Sequence, residues 1–383
     1  MDLQIRRFDE VPGTTWDSWV QSLPDSAYVH SSMYVRFCHL MVGQARAHSF
    51  ALLDNRGDLV ALCPLGISPG EAGGRSFNEA SWNGAPLGLP AIRRELPSQR
   101  RRLAADVFEI FHQEMRRRSA ARSLLLKHPM LLGVLQGDDR PAEQLETMAA
   151  GYACQPQNTI VIDLSCTLEE LSRGLTQEQR KHLNQSERRG LKVREFSNNA
   201  DTALAQMHAQ YADAHQKAAG RLTRPKESFD FMLHLAREGR MRLFVGFVNE
   251  TPASFLYCGE FEGFGFGWSQ ANIEEYASEQ AMRHLLEWSA VLSYKERKFK
   301  YYEIGRRFYG PQLYKVPTPK ELSISFFKER YGGQLWPYLV FERFFDRELC
   351  RIVYQKRLQE YLNSSCFDPQ LSETVHKHQA AEA

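Results

Sequence analysis

Two stretches of the chain carry the same order of elements, and that repetition limits the folds open to it. Residues 49 to 62, SFALLDNRGDLVAL, read as strand, turn and strand, with Asn55-Arg56-Gly57-Asp58 supplying the turn. Residues 243 to 256, LFVGFVNETPASFL, repeat the pattern around Asn249-Glu250-Thr251-Pro252. After each hairpin come a glycine-rich strand or loop, a helix and a short apolar strand. The first helix is expected over about Ser98 to Arg118, with Leu103, Val107, Ile110, Phe111 and Met115 at helical spacing, and its strand is SLLLKHP from Ser123. The second is expected over about Ser278 to Glu296, with Met282, Leu285, Leu286, Ser289 and Leu292 on one face, followed by KYYEIG from Lys300. Two such copies predict a tandem α/β chain with a mixed sheet in each half. The boundary is expected between about Gly151 and Thr159, ahead of the apolar strand TIVIDL.

Length and composition agree with this. The chain has 383 residues, 43% hydrophobic and 25% charged, enough for two or three globular domains. No stretch approaches the run of roughly 20 apolar residues that a membrane helix needs. MDLQIRRFDEVPG lacks the apolar core of a signal peptide, so a cytoplasmic location is expected. The seven cysteines are scattered without a CxxC pair and read as reduced, mostly packed thiols. The twelve histidines form no HExxH or Cys/His ladder, so neither a metal nor a bound cofactor is expected.

The net charge of +2 is small, but arginines cluster at 100–102, 116–118, Arg180-Lys181 and Arg188-Arg189. Such patches can hold phosphates, or they are the solvated faces of amphipathic helices. The second half opens with a helix start after Ser165-Cys166-Thr167 and runs through TQEQRKHLNQSERRG, where Gly190 reads as a stop before the strand KVREF. Arg180 and Arg188 are eight residues apart and return to nearly the same helical face. Further on, SISFFKERYGG (323 to 333) alternates Ile324, Phe326 and Lys328 with Ser323, Ser325 and Phe327. That alternation predicts an edge strand turned by Gly332-Gly333.

The ordered motifs W..WV.SLPDSAYVHSS.Y (16 to 34), NGAPLG (83 to 88), TIVIDLSCTLEELSRGLTQEQRKHLNQSERRGLKV (159 to 193), FGWSQANIEEYASEQAMRHLLEWSAVLSYKERKFKYYEIGR (266 to 306) and FFKERYGG resemble the Fem family. Its members are peptidoglycan-bridge aminoacyltransferases and their relatives in Gram-negative polysaccharide and lipid pathways, built from two GNAT-type acyltransferase folds. The resemblance spans about residues 16 to 335. It implies a first GNAT-like domain over 1–155, completed by about 334–365, and a second over 156–333. The polar tail 366–383, without periodicity, is expected to be loose.

The resemblance also implies that the closing FK..(F/Y)G motif lines the acyl-transfer site. It thereby points to Phe327 and to Lys328, with the lysine stabilising the transition state. Acyl transfer to an amine passes through a tetrahedral oxyanion, which a fixed cation stabilises. A carboxylate can receive or hold the amine proton, and Glu303 and Asp213 are the candidates. Arg180, Lys181, Arg188, Tyr309, Lys315 and Trp268 are the candidate substrate contacts, Lys315 in QLYKVP also competing with Lys328 for the catalytic place.

An acyl-CoA enzyme of GNAT type grips pyrophosphate with an Arg/Gln-x-x-Gly-x-Gly/Ala turn at a helix N-terminus. Neither ELPSQRRRLAADVF nor EEYASEQAMRHLL contains those glycines. Aminoacyl-tRNA is therefore the favoured donor, with acyl-CoA the alternative, and the acceptor is an amine of a cell-envelope, polysaccharide or peptide precursor. The long helical arm of some bridge-forming members has no room between 195 and 240. A third possibility is a non-catalytic tandem GNAT module that grips a nucleotide-linked or polysaccharide ligand with Arg180, Arg188 and Tyr309.

Overall fold

A computed structural model describes residues 2–95, 97–138, 145–198, 202–220, 223–276 and 280–364. The tail from Cys366 lies outside these residues. In chain order the strands are β1 (Gln4–Arg7), β2 (Phe50–Leu53), β3 (Leu59–Cys63), β4 (Ile67–Ala72), β5 (Arg75–Ala80), β6 (Leu87–Gly88), β7 (Ala91–Ile92) and β8 (Ala120–Lys127). They continue with β9 (Ala153–Asp163), β10 (Lys192–Phe196), β11 (Met241–Val248), β12 (Thr251–Phe261), β13 (Phe264–Asn272), β14 (Tyr301–Arg307) and β15 (Gln334–Phe344).

Both expected hairpins form, by different turn chemistry. In β2–β3 the Asp54 carboxylate accepts the backbone N–H of Arg56 and of Asp58, each at 3.0 Å, and Gly57 takes a positive φ. In β11–β12 the two central residues, Asn249 and Glu250, both have positive φ, the backbone twist that suits a tight hairpin. The helix Pro97–Arg116 buries Leu103, Val107, Phe111 and Met115 at steps of four. The helix Gln280–Glu296 buries Met282, Leu286, Ala290, Val291 and Tyr294, while Leu285, Ser289 and Leu292 of the expected face are only partly covered.

Each half then returns to its sheet in a parallel strand: β8 beside β5 in the first, β14 beside β13 in the second. The middle strand differs between halves. β12 runs unbroken for 11 residues, whereas its counterpart is split into β3 and β4 around Pro64 and Gly66. Proline supplies no ladder N–H, and the flat of Trp82 lies where a Gly66 side chain would be, 2.2 Å from an ideal Cβ. The break sends β1-β2-β3-β7 into a small sheet of their own.

The remaining strands do not form two separate sheets, as the repeat suggested. They make one sheet of eleven, in the order β10-β11-β12-β13-β14-β9-β15-β8-β5-β4, with β6 alongside β8. The seam is antiparallel: β9 pairs with β14 on one side and with β15 on the other, and β15 pairs in turn with β8. Among the described residues no helix is long and apolar enough to cross a membrane.

SISFFKERYGG is not a strand. It lies mostly in the helix Pro319–Glu329, because Thr318 and Glu321 form a reciprocal capping box and Pro319 occupies the first turn. That start signal outweighs the two-residue alternation. The buried Ser325 hydroxyl bonds the Glu321 carbonyl at 2.8 Å and accepts the Phe308 N–H at 3.0 Å, so it serves the helix and its neighbour. Gly332 and Gly333, both at positive φ, then pass within reach of the carbonyls of Gly174 and Val161, where a Cβ would stand 2.8 and 2.9 Å away.

The seam is locked by a buried carboxylate. Glu342 on β15 accepts from Arg122 of β8 at 2.7 Å, from Gln155 of β9 at 2.9 Å, and from Arg357 of the C-terminal helix Arg347–Leu362 at 3.0 Å. Removing one partner of a buried network strands the others without water. Glu342→Ala is therefore expected to lower the unfolding free energy by about 3 kcal/mol, measured by urea denaturation; a change within error would show that the seam does not depend on this network.

Candidate active site

The site begins where two parallel strands part. β13 and β14 are paired only through Phe264 with Tyr301, Gly265 with Tyr302 and Phe266 with Glu303. Beyond Phe266, β13 continues against β12 alone, and beyond Glu303, β14 continues against β9 alone. A cleft opens between them with Glu303 at its apex.

A bulge decides what faces it. Glu303 is opposite Val161, but Gly305 is opposite Ile160 and Arg306 opposite Thr159, so one residue is skipped on β14. On a regular strand residues three apart point to opposite faces. Here the skipped residue puts Glu303, Arg306 and Thr159 on the same face, and the Thr159 hydroxyl indeed donates to Glu303. Gly305 makes the bulge with φ +121°, and Lys328 Nζ lies only 2.7 Å from where its Cβ would be.

Glu303 is buried, yet its carboxyl is held below the usual range. Burial alone would push it up, but the His128 ring, the Thr159 hydroxyl and the Lys328 ammonium together outweigh that cost. His128 comes from the end of β8, in the other half of the chain. Its Nδ1 accepts the Met130 N–H at 3.1 Å, which leaves Nε2 to donate to Glu303 Oε2 at 3.1 Å. The ring stands edge-on to Tyr28 and Tyr338, with centroids 4.9 and 5.9 Å apart.

Lys328, in the last turn of Pro319–Glu329, reaches across Gly305 and donates to the Arg306 carbonyl at 3.2 Å. Burial lowers its pKa, opposed by the carboxylates of Glu303 and Glu287. Glu287, from the helix Gln280–Glu296, accepts from the Tyr302 hydroxyl at 2.8 Å. Burial raises its pKa to about 7, with Tyr302 and Lys328 pulling the other way. Arg306 donates to the Tyr338 hydroxyl at 2.8 Å and lies 4.7 Å over the same ring. Tyr28 lies against Phe266, with centroids 4.2 Å apart, and Trp268 packs on Tyr34 and Phe37. A separate cavity of about 700 Å³, bounded by Arg36, His39, Phe231 and Arg240, contains none of the cleft residues.

Of the residues singled out from sequence, the structure gathers Lys328 and Glu303, with Trp268 on the aromatic wall. Phe327 turns away from Glu303 onto His284 and Tyr331, with centroids 4.8 and 5.4 Å apart. Asp213 is exposed on the helix Leu204–Ala219 and pairs with Lys217 at 2.8 Å, and no contact among the described residues joins it to the Glu303 cluster. Lys315 pairs with Glu321 at 2.9 Å, and Tyr309 is exposed beside Arg307. Arg180, Lys181 and Arg188 are exposed on the helix Gln177–Arg188, whose buried residues are Gln179 and Ser186, and Arg180 folds back onto the Leu175 carbonyl. Sequence reading passed over Tyr28, His128, Thr159, Glu287 and Arg306. Tyr28 and Arg306 lay inside the motifs SAYVHSS and YYEIGR, but nothing in the sequence brought them together.

Comparison with known proteins bears on the fold. The family described as an acetyltransferase (GNAT) domain matches residues 177–316. The fold resembles that of FemX, with a TM-score of 0.59 at 12% identity over 93% of this chain and 100% of that one. It also resembles L-PGS from Bacillus licheniformis (TM-score 0.54, 12% identity, 91% of this chain and 96% of the other). A third likeness is to the C-terminal domain of a putative lysylphosphatidylglycerol synthetase from Agrobacterium fabrum (TM-score 0.52, 14% identity, 91% and 97%). No curated protein matches the chain. The second half thus matches a GNAT domain over residues 177–316, and the overall fold resembles that of FemX, in keeping with the fold that the Fem resemblance implied.

Glu287 yields a test of this electrostatic arrangement. Its folded pKa of about 7 exceeds the ordinary 4.5, so the native state prefers the protonated acid. Stability is full below the ordinary value and is lost as pH rises towards 7. Glu287→Gln cannot ionise and escapes that loss. The stability of the variant relative to wild type should rise between about pH 4.5 and 7, by on the order of 3 kcal/mol, and level off above. Urea titrations at a series of pH values read it; a difference that does not vary with pH would refute the buried acid.

Proposed function

We propose that the protein is an N-acyltransferase of Fem type, which moves an aminoacyl group onto an amine of a cell-envelope, polysaccharide or peptide precursor. The observation that carries this reading is that the Lys328 ammonium and the Glu303 carboxylate lie close enough to act on each other at the apex of the β13–β14 cleft. The acyl carbon lies between them in this mechanism. The amine nitrogen attacks it, a C–N bond forms, the ester C–O bond breaks, the nitrogen gives up a proton and the leaving oxygen takes one. Lys328 faces the negative charge that builds on the carbonyl oxygen. Glu303, held ionised, accepts from the amine N–H and faces the positive charge that builds on nitrogen. Its depressed pKa suits it to that electrostatic role better than to removing the proton outright.

Aminoacyl-tRNA is the proposed donor. Both helix entries lack the glycine turn that cradles CoA pyrophosphate, and one of the similar folds is named for a lysyl-bearing lipid. The acyl-CoA reading keeps one specific support, since the matched family is described as an acetyltransferase. Charged tRNA should support transfer while acetyl-CoA binds weakly or not at all by calorimetry. Saturable CoA binding with turnover would reverse the order. Mass spectrometry of envelope precursors from cells with and without the protein reports the added group directly.

Lys328→Ala is expected to leave the fold intact and to reduce turnover by about 10²-fold, the scale of losing one oxyanion donor. Lys328→Arg should recover little, because a planar guanidinium does not fit the ammonium's place above Gly305. Lys315→Ala should remain near wild type, its ammonium being engaged by Glu321. If Lys315→Ala abolished turnover and Lys328→Ala did not, the assignment of the lysine would be wrong.

A further inference from the structure

Taking a guanidinium partly out of water without a counter-charge is costly, and folded chains usually pair it. Arg307 obeys this, forming an ion pair with Glu329 at 2.6 Å. Arg306, next to it, does not. Among the described residues its side chain has one polar partner, the Tyr338 hydroxyl, and no carboxylate within ion-pair distance; Tyr338, Tyr28 and Tyr34 surround it, and the Lys328 ammonium is close enough to repel it. A guanidinium offers five N–H donors, and one hydroxyl oxygen accepts only a part of them. The Tyr338 ring beneath it attracts the cation but gives its remaining N–H groups no acceptor in the plane of the guanidinium.

The position of this cation is as telling as its lack of a partner. The bulge at Gly305 puts Arg306 on the same face as Glu303, three residues along the strand and so at most about 10 Å away between Cα atoms. A carboxylate at one end and an uncompensated guanidinium at the other match a molecule that carries an amine and an oxyanion a few bonds apart. We propose that Arg306 binds an oxyanion, carboxylate or phosphate, borne by the amine acceptor whose nitrogen sits at Glu303. This rests on the acyl-transfer reading of the cleft and narrows its acceptor class. Lys328 has a different part in that reading, since its ammonium faces the acyl carbonyl oxygen while also bonding the Arg306 carbonyl. Tyr28, Tyr34 and Tyr338 displace water around the guanidinium, which strengthens its hold on an anion. An acceptor without the oxyanion would leave Arg306 unpaired and is discriminated against for that reason.

The test is calorimetric titration of the full chain with β-alanine and phosphoethanolamine, which carry both groups, and with ethylamine, which carries only the amine. Wild type is expected to bind at least one of the first two about tenfold or more tightly than ethylamine; the tighter of the pair names the oxyanion. Arg306→Gln should abolish that preference, and Arg306→Lys, which keeps charge but loses the fork, should retain part of it. Should the Gln variant fail to fold by circular dichroism, the Lys variant decides, with undiminished preference counting against the proposal. Wild type with no preference for either two-group probe, or Arg306→Gln with an unchanged preference, overturns it. These titrations need no donor, so a failure to find acyl transfer would sink the proposed function and leave this result standing.

Discussion

The structure depends on an antiparallel seam. β15 arrives from the end of the second half and lies between β9 and β8, so the ladders of both halves become one continuous set of backbone hydrogen bonds. A strand in that place is buried on both edges, and its polar side chains must find partners inside the protein. Glu342 meets that demand with donors from three other elements. The two repeats are thus joined through shared backbone pairing as well as side-chain contact, which holds His128 of the first half in register with Glu303 of the second.

From that seam the site follows by local geometry. β14 is paired to β9 along its whole length but to β13 only at its start, so the sheet splits at Glu303. The bulge at Gly305 then reverses the alternation of side chains for the rest of the strand. A carboxylate, a guanidinium and, across the glycine, an ammonium come to one face. Low solvent exposure magnifies each interaction among them. It also explains why Glu303 stays ionised while Glu287, with fewer donors and equal burial, is pushed the other way.

Much of this was legible in the sequence where local signals agree. The two hairpins, the two long helices, the parallel strands after them and the helix stop at Gly190 each have turn, cap or periodicity signals within a few residues. SISFFKERYGG was misread because its two-residue alternation is a weak pattern, and the Thr318–Glu321 capping box that overrides it lies outside the stretch. The buried face of Gln280–Glu296 was misjudged for a related reason: it carries Glu287, a charged residue that hydropathy assigns to solvent. Asp213 and Glu303 look alike in sequence, each a carboxylate in a mixed stretch. One is paired with Lys217 in water and the other is enclosed by His128, Thr159 and Lys328.

What the sequence determined by itself is most of the order of elements, because caps, turns and periodicity act over a handful of residues. Tertiary structure alone decided the merging of two sheets into one, the split between β13 and β14, and the company kept by Glu303. Those depend on pairing between segments more than a hundred residues apart, as with Thr159 and Glu303 or His128 and Glu303. The bulge stands between these levels. Gly305 is visible as a glycine in YYEIGR, but its effect on which side chains share a face exists only once β14 has β9 to be out of step with.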